Sequence, residues 1–172
     1  GLEFGLQLPF RFLPGALKHF GTIMNMTLTK SDQTYSSLQG AVIAVAPGTS
    51  TGLATAPLLT VNGPFVNASK TQYNVTLYYE DERFGARMSY SYRGPYYDSV
   101  SSGNNNIFDG FSAIKTLDAS ARFSVTSNID VTLDATNLLD SYIYHFTDKD
   151  GQRNLEYYHT GRTITLGARM KF

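Results

Sequence analysis

Residues 73–92 read YNVTLYYEDERFGARMSYSY. On one side of the Asp81-Glu82-Arg83 triplet, Tyr73, Val75, Leu77 and Tyr79 alternate with Asn74, Thr76, Tyr78 and Glu80. On the other, Phe84, Ala86, Met88, Tyr90 and Tyr92 alternate with Gly85, Arg87, Ser89, Ser91 and Arg93. A period of two sends alternate side chains to opposite faces of an extended strand, so each half has one apolar and one polar face. Two such runs joined by a short polar turn predict an antiparallel hairpin.

The same period recurs in both directions from this hairpin. Leu2, Phe4, Leu6, Leu8 and Phe10 are interleaved with Glu3, Gly5, Gln7 and Pro9, and Phe20, Thr22, Met24, Met26 and Leu28 with His19, Gly21, Ile23, Asn25 and Thr27. Ile23 is the one apolar residue out of phase. Leu117, Ala119, Ala121, Phe123 and Val125 oppose Asp118, Ser120, Arg122 and Ser124; after Thr126-Ser127-Asn128, Ile129, Val131, Leu133 and Ala135 oppose Asp130, Thr132, Asp134 and Thr136. The chain closes on Ile164, Leu166, Ala168, Met170 and Phe172 against Thr163, Thr165, Gly167, Arg169 and Lys171. About seven strands of roughly ten residues follow, in an all-β chain with no sustained three- and four-residue apolar spacing. Connections alternate in length. Residues 11–18 with Pro14-Gly15, 81–83 and 126–128 are short, whereas 31–69, 94–113 and 139–161 are long, as in an up-and-down antiparallel wall.

Alternation alone does not choose between a membrane wall and a soluble β-domain whose apolar face packs inside. Strands near ten residues match a tilted crossing of hydrocarbon better than the shorter strands of globular sheets. Aromatics gather at the short-turn ends of the apolar rows, at Phe10, Phe20, Tyr79, Phe84, Phe123 and Phe172, where a lipid interface would seat them. The polar rows carry Arg87, Asp118, Arg122, Asp134 and Arg169, which a wet lumen would solvate. These features predict an antiparallel transmembrane β-barrel wall. No apolar run approaches the roughly 20 residues of a membrane helix; the longest, 41–46, stops at Pro47.

Composition narrows function further. Fourteen Lys+Arg balance fourteen Asp+Glu, so the basic footprint of a nucleic-acid binder is missing. With no Cys there is no disulfide framework, thiolate metal site or Cys nucleophile, which suits passage through an oxidising compartment. Charged residues are only 16% while aromatics reach 13%, a shift toward Tyr and Phe that a lipid interface would explain. No nucleophile motif, phosphate loop or dinucleotide fingerprint is present, and the expectation is a non-enzyme without cofactor or metal.

The run 73–92, the segment Asn137-Leu138-Leu139-Asp140-Ser141-Tyr142, and the ending from Thr160-Gly161-Arg162 through Leu166-Gly167-Ala168-Arg169-Met170-Lys171-Phe172 resemble the C-terminal β-barrel of TonB-dependent outer-membrane receptors. The resemblance extends through Leu13-Pro14-Gly15 and the strand after it, covering 1–172 except the long loops. It implies a parent receptor in a Gram-negative outer membrane, whose complete barrel has 22 strands around a plug domain and imports a scarce ligand, a carbohydrate or a siderophore-type chelate. It implies as partners the outer-membrane lipid, the rest of the barrel and plug, TonB through that plug, and the barrel assembly machinery, with the C-terminus and short turns periplasmic. The expectation is a partial barrel, a C-terminal piece without plug. Seven strands alone would leave two unpaired edges in lipid, so the rest of the barrel, another copy or a strand the alternation does not reveal must close it. The alternative from another class is a small self-assembling structural or pore-forming barrel.

The same resemblance gives Leu166, Ala168, Met170 and Phe172 as a barrel-assembly signal, readable by strand pairing and a terminal ring. Ligand-binding candidates are the loop aromatics Tyr96, Tyr97, Tyr142, Tyr144, Tyr157 and Tyr158, whose rings suit stacking on sugars or flat chelates. The competing reading, an outer aromatic girdle with loop packing, suits them better. His145 and His159 beside Asp148 or Glu156 lack metal-ligand spacing. The Gly-, Pro- and Ser-rich 31–69 loop is expected to be mobile or folded over the barrel mouth. Residues 142–158, with Asp148-Lys149-Asp150-Gly151 between aromatic runs, suggest a hairpin above the membrane.

Overall fold

The computed structural model describes residues 1–38, 58–100 and 108–172. They form thirteen strands in three antiparallel sheets, with one 3-10 turn at Gly15–His19. The main sheet has seven strands: β1 (Leu2–Pro9), β2 (Phe20–Leu28), β5 (Thr71–Glu80), β6 (Phe84–Arg93), β9 (Ile114–Thr126), β10 (Ile129–Thr136) and β13 (Thr163–Met170), in the order β1-β2-β5-β6-β9-β10-β13. A two-stranded hairpin pairs β3 (Gln33–Leu38) with β4 (Leu58–Gly63). A four-stranded distal sheet contains β7 (Tyr96–Val100), β8 (Phe108–Phe111), β11 (Tyr142–Thr147) and β12 (Arg153–His159), in the order β12-β11-β8-β7.

The register of the main sheet joins the apolar half-rows into continuous ones. Thr22, Leu77, Met88, Ala119, Ala135 and Ile164 are successive cross-strand partners, and Phe20, Tyr79, Ala86, Ala121, Leu133 and Leu166 make the next row. The opposite face has its own rows, such as Gly21, Tyr78, Arg87, Ser120, Asp134 and Thr165. Because strand periodicity is two, a one-residue slip anywhere would put apolar and charged residues on one face. The out-of-phase Ile23 stands on the polar face between Gln7 and Thr76.

Nothing among the described residues covers the apolar face. Phe4 is 59% exposed, Leu77 47%, Leu133 46% and Leu166 75%. The turn-end aromatics run together as expected: Phe20 meets Tyr79 edge-on at 4.9 Å, Tyr79 lies 5.9 Å from Phe84, and Phe84 pairs with Phe123. Phe172, beyond the last strand, is fully exposed. At the other end of the same face Tyr73 stacks on Tyr92 at 4.9 Å and lies 6.0 Å from Tyr90. Among the described residues the sheet is open, with β1 and β13 each paired on one side only.

The three long connections are more ordered than a loop reading anticipates. Residues 31–69 contain the β3–β4 hairpin, while the apolar island 41–46 lies outside the described residues. Residues 94–113 contribute β7 and β8, and residues 139–161 form the expected β11–β12 hairpin. The distal order repeats that of the main strands they extend: β7, β8, β11 and β12 continue β6, β9, β10 and β13 beyond local breaks. Chain breakers explain those breaks. Gly94-Pro95 interrupts the first strand, Asn137 (φ 53°) and Asp140 (φ 55°) turn the third, and Gly161 (φ 73°) turns the fourth. The buried apolar side chains among the described residues, Phe108 and Phe146, lie in this distal part. Phe108 packs against Tyr97 (4.6 Å) and Tyr35 (5.6 Å), and Gly63 leaves room for its ring.

Candidate functional site

Three regions concentrate polar or aromatic chemistry. The first is the polar face of the main sheet. A concavity of about 710 Å³ there is lined by Gln7, Thr76, Arg87, Ser120, Arg122 and Asp134, among others. Toward the distal end, a second of about 310 Å³ is bordered by Asn25, Thr27, Gln72, Asn74, Ser91 and Thr116. The distal part is knitted by neutral hydrogen bonds: Asn74 Nδ2 donates to Ser91 Oγ (2.6 Å), and the Thr76 and Ser89 hydroxyls share a bond of 2.8 Å. Arg87, Asp118, Arg122, Asp134 and Arg169 form no ion pair within 4 Å among the described residues. The strand register explains this for the two central arginines: Arg87 is flanked by Tyr78 and Ser120, Arg122 by Gly85 and Thr132.

The second region is the joint between main and distal sheets. Asn137 acts as its hub: its N–H donates to Asp118 Oδ1 (2.9 Å), its amide Nδ2 to the Gly161 carbonyl (2.9 Å), and its Oδ1 accepts from Ser141 N–H (3.0 Å). The nearby Arg162 Nε donates to the Leu138 carbonyl. An Asn tolerates the left-handed backbone here better than a branched residue would; its short amide joins the Gly161 carbonyl to the Ser141 N–H while its backbone N–H reaches Asp118. At the β6–β7 break, Arg93 does similar bridging. It donates to the Asn67 carbonyl and to the buried Ser69 Oγ, and its guanidinium lies 3.6 Å above the Tyr96 ring. Ser69 Oγ in turn donates to the Gly94 carbonyl.

The third region is the distal sheet, which holds all six candidate tyrosines but divides them. Tyr96, Phe111, His145 and Glu156 are cross-strand neighbours on one face. Tyr96 stacks on Phe111 at 5.3 Å and Phe111 on His145 at 4.4 Å, so a stacked column runs from Arg93 to His145. His145 Nδ1 meets Glu156 Oε1 at 3.1 Å, and its Nε2 lies 3.4 Å from Asp98 Oδ2 without hydrogen-bond alignment. Tyr158 donates to the same Glu156. These hydrogen bonds from Tyr158 and His145 hold the Glu156 carboxyl below its ordinary range, and Glu156 pushes the Tyr158 hydroxyl up.

Tyr97 belongs to the opposite face, packed on Phe108, and burial raises its hydroxyl pKa, with Asp150 adding to the effect. It borders a cleft of about 460 Å³ where all three sheets meet, lined also by Asn62, Lys70, Tyr92, Phe146 and Lys149. Tyr142, Tyr144 and Tyr157 come together in a patch with His159, which is stacked flat on Tyr142 at 4.0 Å and bonded to Asp140 at 2.8 Å. The sequence reading places His145 and His159 near the candidate tyrosines but singles out neither Phe111 nor Arg93, both of which stand in the stacked column. It also grouped Tyr157 with Tyr158 and Tyr96 with Tyr97, although neighbours on a strand face opposite ways.

The remaining candidates fall elsewhere. Leu166, Ala168 and Met170 lie on the free edge strand β13, with Leu166 and Met170 on the exposed apolar face. Among the described residues no group of three His, Asp or Glu side chains is placed to hold a metal ion. His145 has its two carboxylates at opposite ring nitrogens, and His159 pairs separately with Asp140. No protein-family model, curated protein or solved structure matches the chain.

Proposed function

We propose that this chain is part of the β-barrel wall of a TonB-dependent receptor in a Gram-negative outer membrane, and that the parent protein imports a scarce ligand, a carbohydrate or a siderophore-type chelate. The observation that carries the membrane part is the in-register apolar face, exposed on six of the seven main strands, half-buried on β2, and bordered by aromatics at both ends. In water such a face is an unsatisfied apolar surface far larger than a soluble monomer normally shows; in hydrocarbon it is the expected exterior of a barrel. The opposite face, polar and concave, suits a wet lumen facing a plug. The receptor part rests on the resemblance of 73–92, 137–142 and 160–172, and with it come lipid, the remaining barrel and plug, TonB through the plug, and the barrel assembly machinery as partners. In that reading the distal sheet stands outside the cell and the short turns in the periplasm.

The chain has no Cys, so single-cysteine probes report facing directly. A fluorophore on Leu133→Cys should be quenched by spin-labelled lipid in vesicles and protected from aqueous iodide, with the reverse for Thr132→Cys. Equal quenching at the two sites would contradict a membrane wall. The two free edges of the main sheet favour one second reading, a small barrel closed by several copies. Stepwise conductance from the chain reconstituted alone in planar bilayers would select that reading over the receptor.

A further inference from the structure

The patch around Tyr144 is a cluster of exposed tyrosine rings on one face of the distal sheet. Tyr142 lies opposite His159 and Tyr144 opposite Tyr157, two consecutive rows on one face of the β11–β12 hairpin, followed past a register shift by the buried Phe146 opposite Asn154. At about 3.3 Å rise per residue, the two exposed rows lie roughly 7 Å apart. Tyr142, Tyr144 and Tyr157 are 43–61% exposed, and the ring centroids of Tyr142–Tyr144 and Tyr144–Tyr157 are 6.1 and 6.5 Å apart. From this geometry we infer that the shelf is a binding site for neutral glycan chains, with sugar rings laid against the tyrosine faces.

Three observations support that ligand class. The His159 ring is fixed between Tyr142 and the Asp140 carboxylate, so part of the platform is ordered before any ligand arrives, which lowers the entropic cost of binding. The polar groups at its ends are acceptors and amides, namely Asp140 and Asn154, while the Arg153 guanidinium lies 3.7 Å from Asp148 and Arg162 Nε donates to the Leu138 carbonyl. No Lys or Arg stands in the Tyr142–His159 and Tyr144–Tyr157 rows, Lys149 lining the cleft beyond Phe146, so an anionic ferric chelate on the tyrosine faces would lie beside the Asp140 carboxylate. A neutral sugar instead offers apolar C–H faces to the rings and hydroxyls to the carboxylate and amide. Nor is the shelf needed as an interfacial belt, because Tyr73, Tyr90 and Tyr92 already fill that position on the main sheet.

The inference rests on the receptor reading for placing the shelf outside the cell, but binding is measurable without uptake. The 172-residue chain, folded in detergent micelles and checked by circular dichroism, is titrated with maltohexaose, cellohexaose, and smooth or deep-rough lipopolysaccharide. The parent should bind a hexasaccharide, or smooth but not deep-rough lipopolysaccharide. The first result identifies a free oligosaccharide as the source, the second a surface glycan. Tyr144→Ala/Tyr157→Ala, and Tyr157→Ala alone on the exposed edge strand, should weaken binding about tenfold or more, the effect expected for losing ring contacts. Tyr158→Phe, on the opposite face, should bind like the parent. Absence of glycan binding by the folded parent, equal binding by the shelf variants, or preference for ferric citrate would overturn the inference. None of these results would touch the membrane reading, which the detergent dependence of folding reports separately.

Discussion

Asp81 illustrates how one residue fixes a turn. Its carboxylate accepts from the Tyr79 hydroxyl (2.7 Å) and from the backbone N–H groups of Phe84 (2.8 Å) and Arg83 (2.9 Å), closing the β5–β6 hairpin. The Tyr79 bond, then the two backbone bonds, bring its pKa from an ordinary 3.8 down to about 2. A depressed carboxyl contributes stability that is complete above the unfolded value and lost as pH falls through the folded one. Hairpin protection, measured by hydrogen exchange on the chain in micelles, should therefore hold at pH 5 and fall as pH drops from 3.8 toward 2. Asp81→Asn should flatten that dependence; a variant that keeps it would show that another group is responsible. Asn137 makes a similar argument at the joint. Asn137→Ala removes the side-chain bonds to Gly161 and Ser141 and leaves a non-glycine residue at φ 53°, a loss of about 1–3 kcal/mol. Asn137→Gly should cost less because glycine accepts that φ, and equal losses in chemical unfolding would remove backbone strain from the explanation. Asp81 is legible as a turn residue, but the hub role of Asn137 is not, since its partners are Asp118 on β9 and Gly161 in the break before β13.

The seven main strands are legible because each carries its signal locally, as several alternations in phase between turn residues. The distal strands are shorter, four to seven residues, and two of their pairings contain register shifts, between Tyr97 and Ser99 and between His145 and Phe146. In addition, β8 pairs with β11, a contact between separate hairpins that no local period records. Glycine at position 110 is required by close approach: a Cβ there would come 2.4 Å from the Tyr96 carbonyl and 3.1 Å from the Phe146 ring. Gly110→Ala should thus cost about 1–3 kcal/mol and loosen β7 from β8, visible as faster exchange there but not in the β5–β6 hairpin. Uniform loosening would mean that the two sheets unfold as one unit. In the main sheet, facing decides the outcome. Leu133 lies between Ala121 and Leu166 on the apolar face, so Leu133→Arg should cost about 2–4 kcal/mol in lipid. Thr132 lies between Arg122 and Gly167 on the polar face, and Thr132→Arg should be far milder. Folding titrations in vesicles that gave equal costs would contradict the assigned faces.

At the scale of the molecule, the described residues bury very little apolar surface for their number. Phe108 and Phe146 form a small distal core, while the main sheet is a single layer with an apolar side, a polar side and two free edges. A single layer cannot bury its own apolar face; on the proposed reading a surrounding apolar solvent covers it, and further strands pair its edges, which lipid would otherwise leave unsatisfied. In the proposed membrane-wall reading that solvent is hydrocarbon. The most direct test is refolding of the purified 172-residue chain with and without detergent, followed by far-UV circular dichroism and mass in solution. The membrane-wall account predicts a β-rich spectrum only with detergent, and a mass above 19.0 kDa if copies of the chain close the sheet. A monodisperse, β-rich 19.0 kDa monomer in plain buffer would contradict it.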